Sequence, residues 1–233
     1  MDRQRTLLVP QPTTTMTDAP TPQAASGPPS GLSFPDRPCR PPFHPDEVLD
    51  AWFGPRDDPR RQSLRREWFQ GGPAFDEALR RRFLPLWEAA ARGELAHWQA
   101  TPQGRLALVI ALDQFTRNFF RGQARAFACD ATARRIAEAA LADGEDRVLA
   151  PVARAFLYLP FEHSEDAADQ ARSEALFAAL ADAAPALAGY LDYARRHRAV
   201  ILRFGRFPHR NAALGRATTA EEAAFLAEHP AGF

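Results

Sequence analysis

Past residue 42 the chain is dominated by Ala, Leu, Arg and Glu, and the strict alternation of Val, Ile and Thr that marks a strand is absent, which predicts an all-helical body. Helices are expected over 45–53, 60–69, 74–92, 103–120, 130–143, 148–159, 165–183, 186–204 and 219–228. Gly54-Pro55, Gly71-Gly72-Pro73, Gly93, Gly122, Gly144, Pro160, Pro185 and the stretch from Gly205 to Pro208 supply the stops. Thr218 and Glu221 have the spacing of a capping box for the last helix. Connections this short make antiparallel helical pairs of neighbours, about eight or nine helices in one domain over 43–233.

Three of these helices change character along their length. Between Leu106 and Arg121, at 100 degrees per residue, Leu106, Ile110, Asp113, Gln114, Arg117, Asn118 and Arg121 share one broad face. The other sides carry Leu108, Val109, Leu112, Phe115, Phe119 and Phe120, so this helix is apolar nearly all round and belongs at the centre of the domain. A polar wedge there is costly unless each group finds a partner. A second helix opens after His163, with Ser164 as the expected N-cap and Glu165 and Asp166 in its first turn. Its face of Asp166, Asp169, Gln170 and Ser173 turns into Leu176, Phe177 and Leu180. In the third, His197 interrupts the row Tyr190, Tyr193, Ala194, Ile201 and Phe204, and the chain then breaks at Arg203-Phe-Gly-Arg206-Phe-Pro-His209-Arg210-Asn211.

Composition sharpens this picture at one point. The chain has 29 Lys and Arg together, every one of them Arg, and its only two asparagines, Asn118 and Asn211, both follow an Arg in the phrase Phe, one or two residues, Arg-Asn, three residues, Gly. In a sequence this depleted in Lys and Asn, their survival at matching places marks a need for the amide, and both are expected to converge with the His163 to Asp166 segment on one polar centre. Elsewhere composition mainly excludes. The 29 basic residues balance 29 acidic ones, which argues against nucleic acid as partner. The two cysteines, Cys39 and Cys129, lack metal-ligand spacing and fit a reducing, cytoplasmic compartment. No run is apolar enough to span a membrane. Residues 1–42 hold ten of the 21 prolines with Thr, Ser and Gly, and are expected to form a disordered tail, within which Met16 is an alternative start to Met1.

The candidate chemistry gathers arginines 117, 121, 203, 206 and 210, acids 113, 165, 166 and 169, and histidines 163, 197 and 209. Gln114, Asn118 and Asn211 complete the set. Two readings stand side by side. In one, five arginines against four acids leave a positive pocket for a small phosphate or carboxylate ligand, with His163 or His209 moving a proton. In the other, the charges form an internal network that locks the helices, and a protein partner binds elsewhere. Neither reading calls for a metal or another cofactor: no second histidine stands at ligand spacing from His163.

Five ordered phrases carry a family resemblance: Val48-Leu-Asp-Ala-Trp-Phe-Gly54, Leu112-Asp-Gln-Phe-Thr-Arg-Asn118, Ala126-Phe-Ala128, Phe156-Leu-Tyr-Leu-Pro-Phe-Glu-His-Ser-Glu-Asp166 and Arg203-Phe-Gly-Arg-Phe-Pro-His-Arg-Asn211. Over about residues 45–233 the chain resembles the bacterial domain-of-unknown-function family 924. That resemblance implies an all-α fold of the tetratricopeptide-like superfamily and brings no established reaction with it. Its signature residues fall on Asp113, Gln114, Arg117, Asn118, His163, Ser164, Glu165, Asp166, Arg206, His209, Arg210 and Asn211.

Overall fold

The computed structural model describes residue 34 and residues 37–229, and among them there is no β-strand. Helix α1 (Pro45–Phe53) starts where His44 accepts the Asp46 N–H while Glu47 reaches back to the His44 N–H, and it stops at Gly54, whose φ of 89° a side chain would resist. Then come α2 (Glu67–Gln70), α3 (Gly72–Ala91), α4 (Pro102–Val109), α5 (Thr116–Phe119), α6 (Asp130–Ala142), α7 (Pro151–Glu162), α8 (Ala167–Ala183), α9 (Ala188–Phe204), α10 (Asn211–Leu214) and α11 (Ala220–Glu228). Residues Ile110–Phe115 form a π-helical turn that joins α4 to α5, so 102–119 is one helix, as its pattern predicts.

That joined helix is the axis of the fold. Every residue from Leu106 to Thr116 is buried, and α1, α3, α6 and α7 pack on it. Aromatic rings fill the space between: Trp52 of α1 lies 5.6 Å from both Phe115 and Phe156, and Trp68 lies 4.7 Å from Phe156. Helices α7, α8 and α9 pack in sequence, and a smaller core of Val200, Ile201, Phe207 and Phe225 closes the end where α11 folds over α9.

Four local expectations are corrected. The helix expected over 60–69 is mostly turns, with α2 its only helical part. The reason is that Arg61 and Arg65 bend back to serve the end of α1, Arg61 on Gly54 O and on Asp50 at 2.7 Å, Arg65 on Phe53 O at 2.6 Å. Pro160 does not stop α7, which runs on to Glu162. Only one helical N–H is missing there, and the buried side chains of Phe156, Leu157 and Phe161 hold the segment in place. Asp166, not Ser164, caps α8, accepting from Ala168 N at 2.8 Å and Asp169 N at 3.1 Å, because the Ser164 hydroxyl donates to Asp169 instead at 2.7 Å. The last capping box sits one residue later, on Thr219 and Glu222, since the Thr218 hydroxyl is taken by Asn211 at 3.3 Å.

The proline-rich tail and the alternative starts Met1 and Met16 lie outside the described residues, except for Phe34 and 37–42. Phe34 rests on Phe75 and Phe83, and the buried Cys39 donates its N–H to Arg82 O at 2.8 Å, so packing on α3 begins within that stretch. No helix among the described residues is long and apolar enough to cross a membrane.

Candidate functional site: a polar centre at the π turn

The π turn explains why the polar wedge of the central helix can exist. Widening a helix from i+4 to i+5 bonding shifts carbonyls away from their usual donors, and side chains take them up. Thr116 Oγ1 donates to Leu112 O at 2.6 Å and in turn accepts from Trp87 Nε1 at 2.7 Å. Arg117 Nη1 donates to Asp113 O at 2.9 Å.

Asp113, with no exposed surface, is the hub. Its Oδ1 accepts from Arg117 Nη1 at 3.0 Å and lies 2.8 Å from His163 Nδ1, and its Oδ2 accepts from Gln114 Nε2 at 2.6 Å. Burial pushes the carboxyl upward, but the charge of Arg117 and the contacts with His163 and Gln114 outweigh it and hold Asp113 well below the usual carboxylate range. A carboxylate only accepts, so His163 presents Nδ1–H to it and keeps the lone pair on Nε2. Burial, then the Arg117 charge, hold the His163 imidazole below its ordinary pKa.

Arg117 completes a bidentate pair with Asp130, the first residue of α6, at 2.9 and 3.0 Å. Arg210 donates Nη2 to the carbonyl of His163 at 2.9 Å and lies between the rings of Phe127 and Phe207, 4.7 and 4.5 Å from their centroids. Its Nε is buried with no partner among the described residues. His197 stands 6.4 Å from His163 between ring centroids, donates Nδ1–H to Tyr193 O at 2.9 Å, and is pushed down to about 3 chiefly by burial. Beneath it lies Glu162, whose Oε1 is 3.5 Å from that same Nδ1. Burial and then the Asp113 charge push Glu162 up to about 8, so at neutral pH it is an uncharged acid.

The centre therefore holds Asp113, Gln114, Arg117, His163, His197 and Arg210 of the expected set. His209 stands at its rim, partly exposed, next to the Phe207 ring at 5.7 Å, with the burial of the rest of the side chain and the Arg210 and Arg117 charges holding its pKa below the usual range. The two asparagines do not meet there. Asn118 donates to Asp76 of α3 at 2.7 Å, beside Arg121 on the same carboxylate, and both line an open groove of about 530 Å³ with Phe69, Pro73 and Arg80. The helix face splits because Arg117 and Asn118, one 100° step apart, meet different neighbours, Asp130 of α6 and Asp76 of α3. Asn211 lies in a clamp instead, accepting from Arg216 Nε at 3.0 Å and donating to Glu222 at 3.2 Å. Arg216 grips Glu165 at 2.7 and 3.0 Å and Phe207 O at 2.9 Å, Glu165 accepts from Phe207 N at 2.8 Å, and Arg206 pairs with Glu222 at 2.6 Å. This clamp fixes the segment that carries Arg210. Asp166 serves as a helix cap, and Arg203 is an exposed partner of Glu221 at 2.8 Å.

Sequence reasoning missed Glu162, Asp130, Asp76, Arg216 and Glu222. Glu162 was the readable one: it is a carboxylate closing an apolar run from Ala155 to Phe161, all of it buried. Asp130 is indistinguishable from the acids that open many helices.

The family described as bacterial protein of unknown function (DUF924) matches residues 48–230. The chain belongs to that family. This agrees with the resemblance of its five phrases. A solved structure of a protein of unknown function from Agrobacterium tumefaciens is 40% identical, covers 79% of this chain and 97% of its own, and superposes with a TM-score of 0.70. None of the curated proteins matches the sequence.

Proposed function

We propose that the polar centre is a ligand site with acid–base capacity, taking a small molecule that bears a carboxylate or phosphate. Arg210 holds the anionic oxygen and His163 takes the proton. The observation that carries this reading is the alignment of His163: a buried carboxylate 2.8 Å from Nδ1 fixes the tautomer that leaves Nε2 as base, and an arginine with an unused Nε donates to the carbonyl of that same residue. Glu162, uncharged at neutral pH and 3.5 Å from His197, is a proton donor beside the imidazoles. Asn118 and Asn211 have no part in binding here, since Asp76 and Glu222 occupy them. A thermal-shift screen of phosphorylated and carboxylated metabolites is the test. At least one class should raise the melting midpoint of the wild type, and that response should vanish in Arg210→Leu; flat responses at millimolar ligand would defeat the proposal.

A second reading draws on charge. Two arginines, 117 and 210, face two aspartates, 113 and 130, so the surplus of arginine expected over the whole set is absent at the centre itself. On this reading the cluster is internal glue of a tetratricopeptide-like array in the cytoplasm, and a protein partner binds its outer faces, where Phe69, Tyr193 and Leu202 are exposed. A folded and equally stable Arg117 variant would sink it.

A further inference from the structure

Four buried side-chain oxygens in the α7–α8–α9 layer have no hydrogen-bond partner among the described residues, Gln170 Oε1, Glu162 Oε2, Ser173 Oγ and Tyr190 Oη, and the last three can both donate and accept. The residues of those three are 3, 0 and 8% exposed, so bulk water does not serve them. Buried hydroxyls and carboxyls without a partner are rare in folded proteins, and several together point to a shared guest.

The packing brings them to one level. Gln170 of α8 donates to the carbonyls of Glu162 and Ser164 at 2.6 and 2.7 Å, which fixes the register of α8 on the end of α7. One turn along the same face is Ser173, and one further turn on is Phe177, whose ring stacks on Tyr190 at 5.6 Å and meets Tyr158 of α7 at 5.8 Å. On α9, Tyr190 and His197 lie two turns apart, with His197 beside Glu162. The contacts Glu162–His197 and Phe177–Tyr190 thus bracket a stretch that holds Ser173 from one side and Ala194 from the other. Ala194 is wholly buried and contributes only a methyl group, and helical side chains lean toward the N-terminus, which carries the Glu162 carboxyl into this stretch. The phenol of Tyr190 is shifted upward by burial and by the charge of Glu162, as neighbours would be.

We infer that Glu162, Ser173 and Tyr190 together bind one small uncharged oxygen ligand, a water or the hydroxyl of a bound molecule, in the space beside Ala194. A hydroxyl oxygen suits the site because each of the three groups, Glu162 in its protonated form, both donates and accepts. The guest supplies the partner that an uncharged Glu162 lacks, and it does so whether or not the His163 centre binds an anion.

Crystals of the full chain, dialysed free of small molecules and compared with crystals soaked in ethylene glycol, test the assignment. A compact density within hydrogen-bond distance of all three oxygens in the dialysed crystals assigns water, and its replacement by ethylene glycol density assigns a site for an organic hydroxyl. Melting midpoints supply the second arm. With a guest in place, Ser173→Ala and Tyr190→Phe each lower the midpoint, and the double variant loses less than the two losses combined because both groups share one partner. A dry space, together with midpoints that stay level or rise, overturns the inference, since deleting a hydroxyl that never had a partner relieves a desolvation cost.

Discussion

Replacing Glu162 with Gln keeps the shape of the side chain and one donor while removing the proton that the acid carries. In the folded protein Glu162 holds this proton up to about pH 8, whereas an unfolded glutamate releases it near 4.5. Between those two values the folded state binds more protons than the unfolded one, so stability falls as pH rises, by about 1.4 kcal/mol per pH unit. Glu162→Gln has no such slope. The stability of the variant minus that of the wild type is therefore expected to climb by roughly 2.7 kcal/mol between about pH 5.5 and about pH 7.5, whatever the fixed offset between the two proteins.

The histidine beside it works in the opposite sense. His197 stays neutral in the fold down to about 3 against an ordinary 6.5, so its contribution grows as pH rises and is complete above the ordinary value. Between about pH 4.5 and 6.5 the two slopes cancel, so these groups give wild-type stability a broad maximum over that range and a fall above it. Urea melts of both proteins across this range measure the difference, and infrared spectroscopy locates the proton through a protonated-carboxyl band that the variant lacks. Parallel stability curves would refute the reasoning: they would mean that the Glu162 and His197 pair carries no extra proton in the folded state. A variant destabilised by roughly 3 kcal/mol or more at the maximum would refute it differently, as the mark of an ionised Glu162 paired with a charged His197.

Arg117→Met strands Asp113 as an unpaired buried charge and is expected to cost about 3–5 kcal/mol at neutral pH by urea denaturation, while a loss below about 1 kcal/mol would place the pair with surface bridges. Arg216→Ala opens the clamp on Glu165, Phe207 and Asn211 and is expected to lower stability by about 1–3 kcal/mol, with a weakened thermal-shift response because Arg210 loses its support. Thr116→Val leaves the Trp87 indole N–H buried without its acceptor at the π turn, for a loss of about 1–3 kcal/mol seen by tryptophan emission, and an unchanged midpoint would mean that the turn does not depend on that bond.

The difference between what was legible in the sequence and what was not follows from the range of the physics involved. The helix expected over 103–120 and found over 102–119 was readable because it is apolar nearly all round, and the stops at Gly54, Gly93 and Gly144 were readable because glycine relieves a local backbone constraint. Asp113, Arg117 and His163 were readable as anomalies, polar groups written into runs that had to be buried. What the sequence did not carry was the choice of partner. A hundred degrees per residue assigns Arg117 and Asn118 to one broad face, but which neighbour each meets there is set by Asp130, 13 residues downstream, and Asp76, 42 upstream. The same holds for the two asparagines, whose shared phrase suggested one destination. Asn118 is claimed by Asp76 across 42 positions and Asn211 by Glu222 across 11, each a contact that only tertiary packing creates. Similar local phrases therefore serve the centre through their arginines, 117 on Asp130 and 210 on the carbonyl of His163, while each neighbouring amide fastens the element that holds its arginine in place.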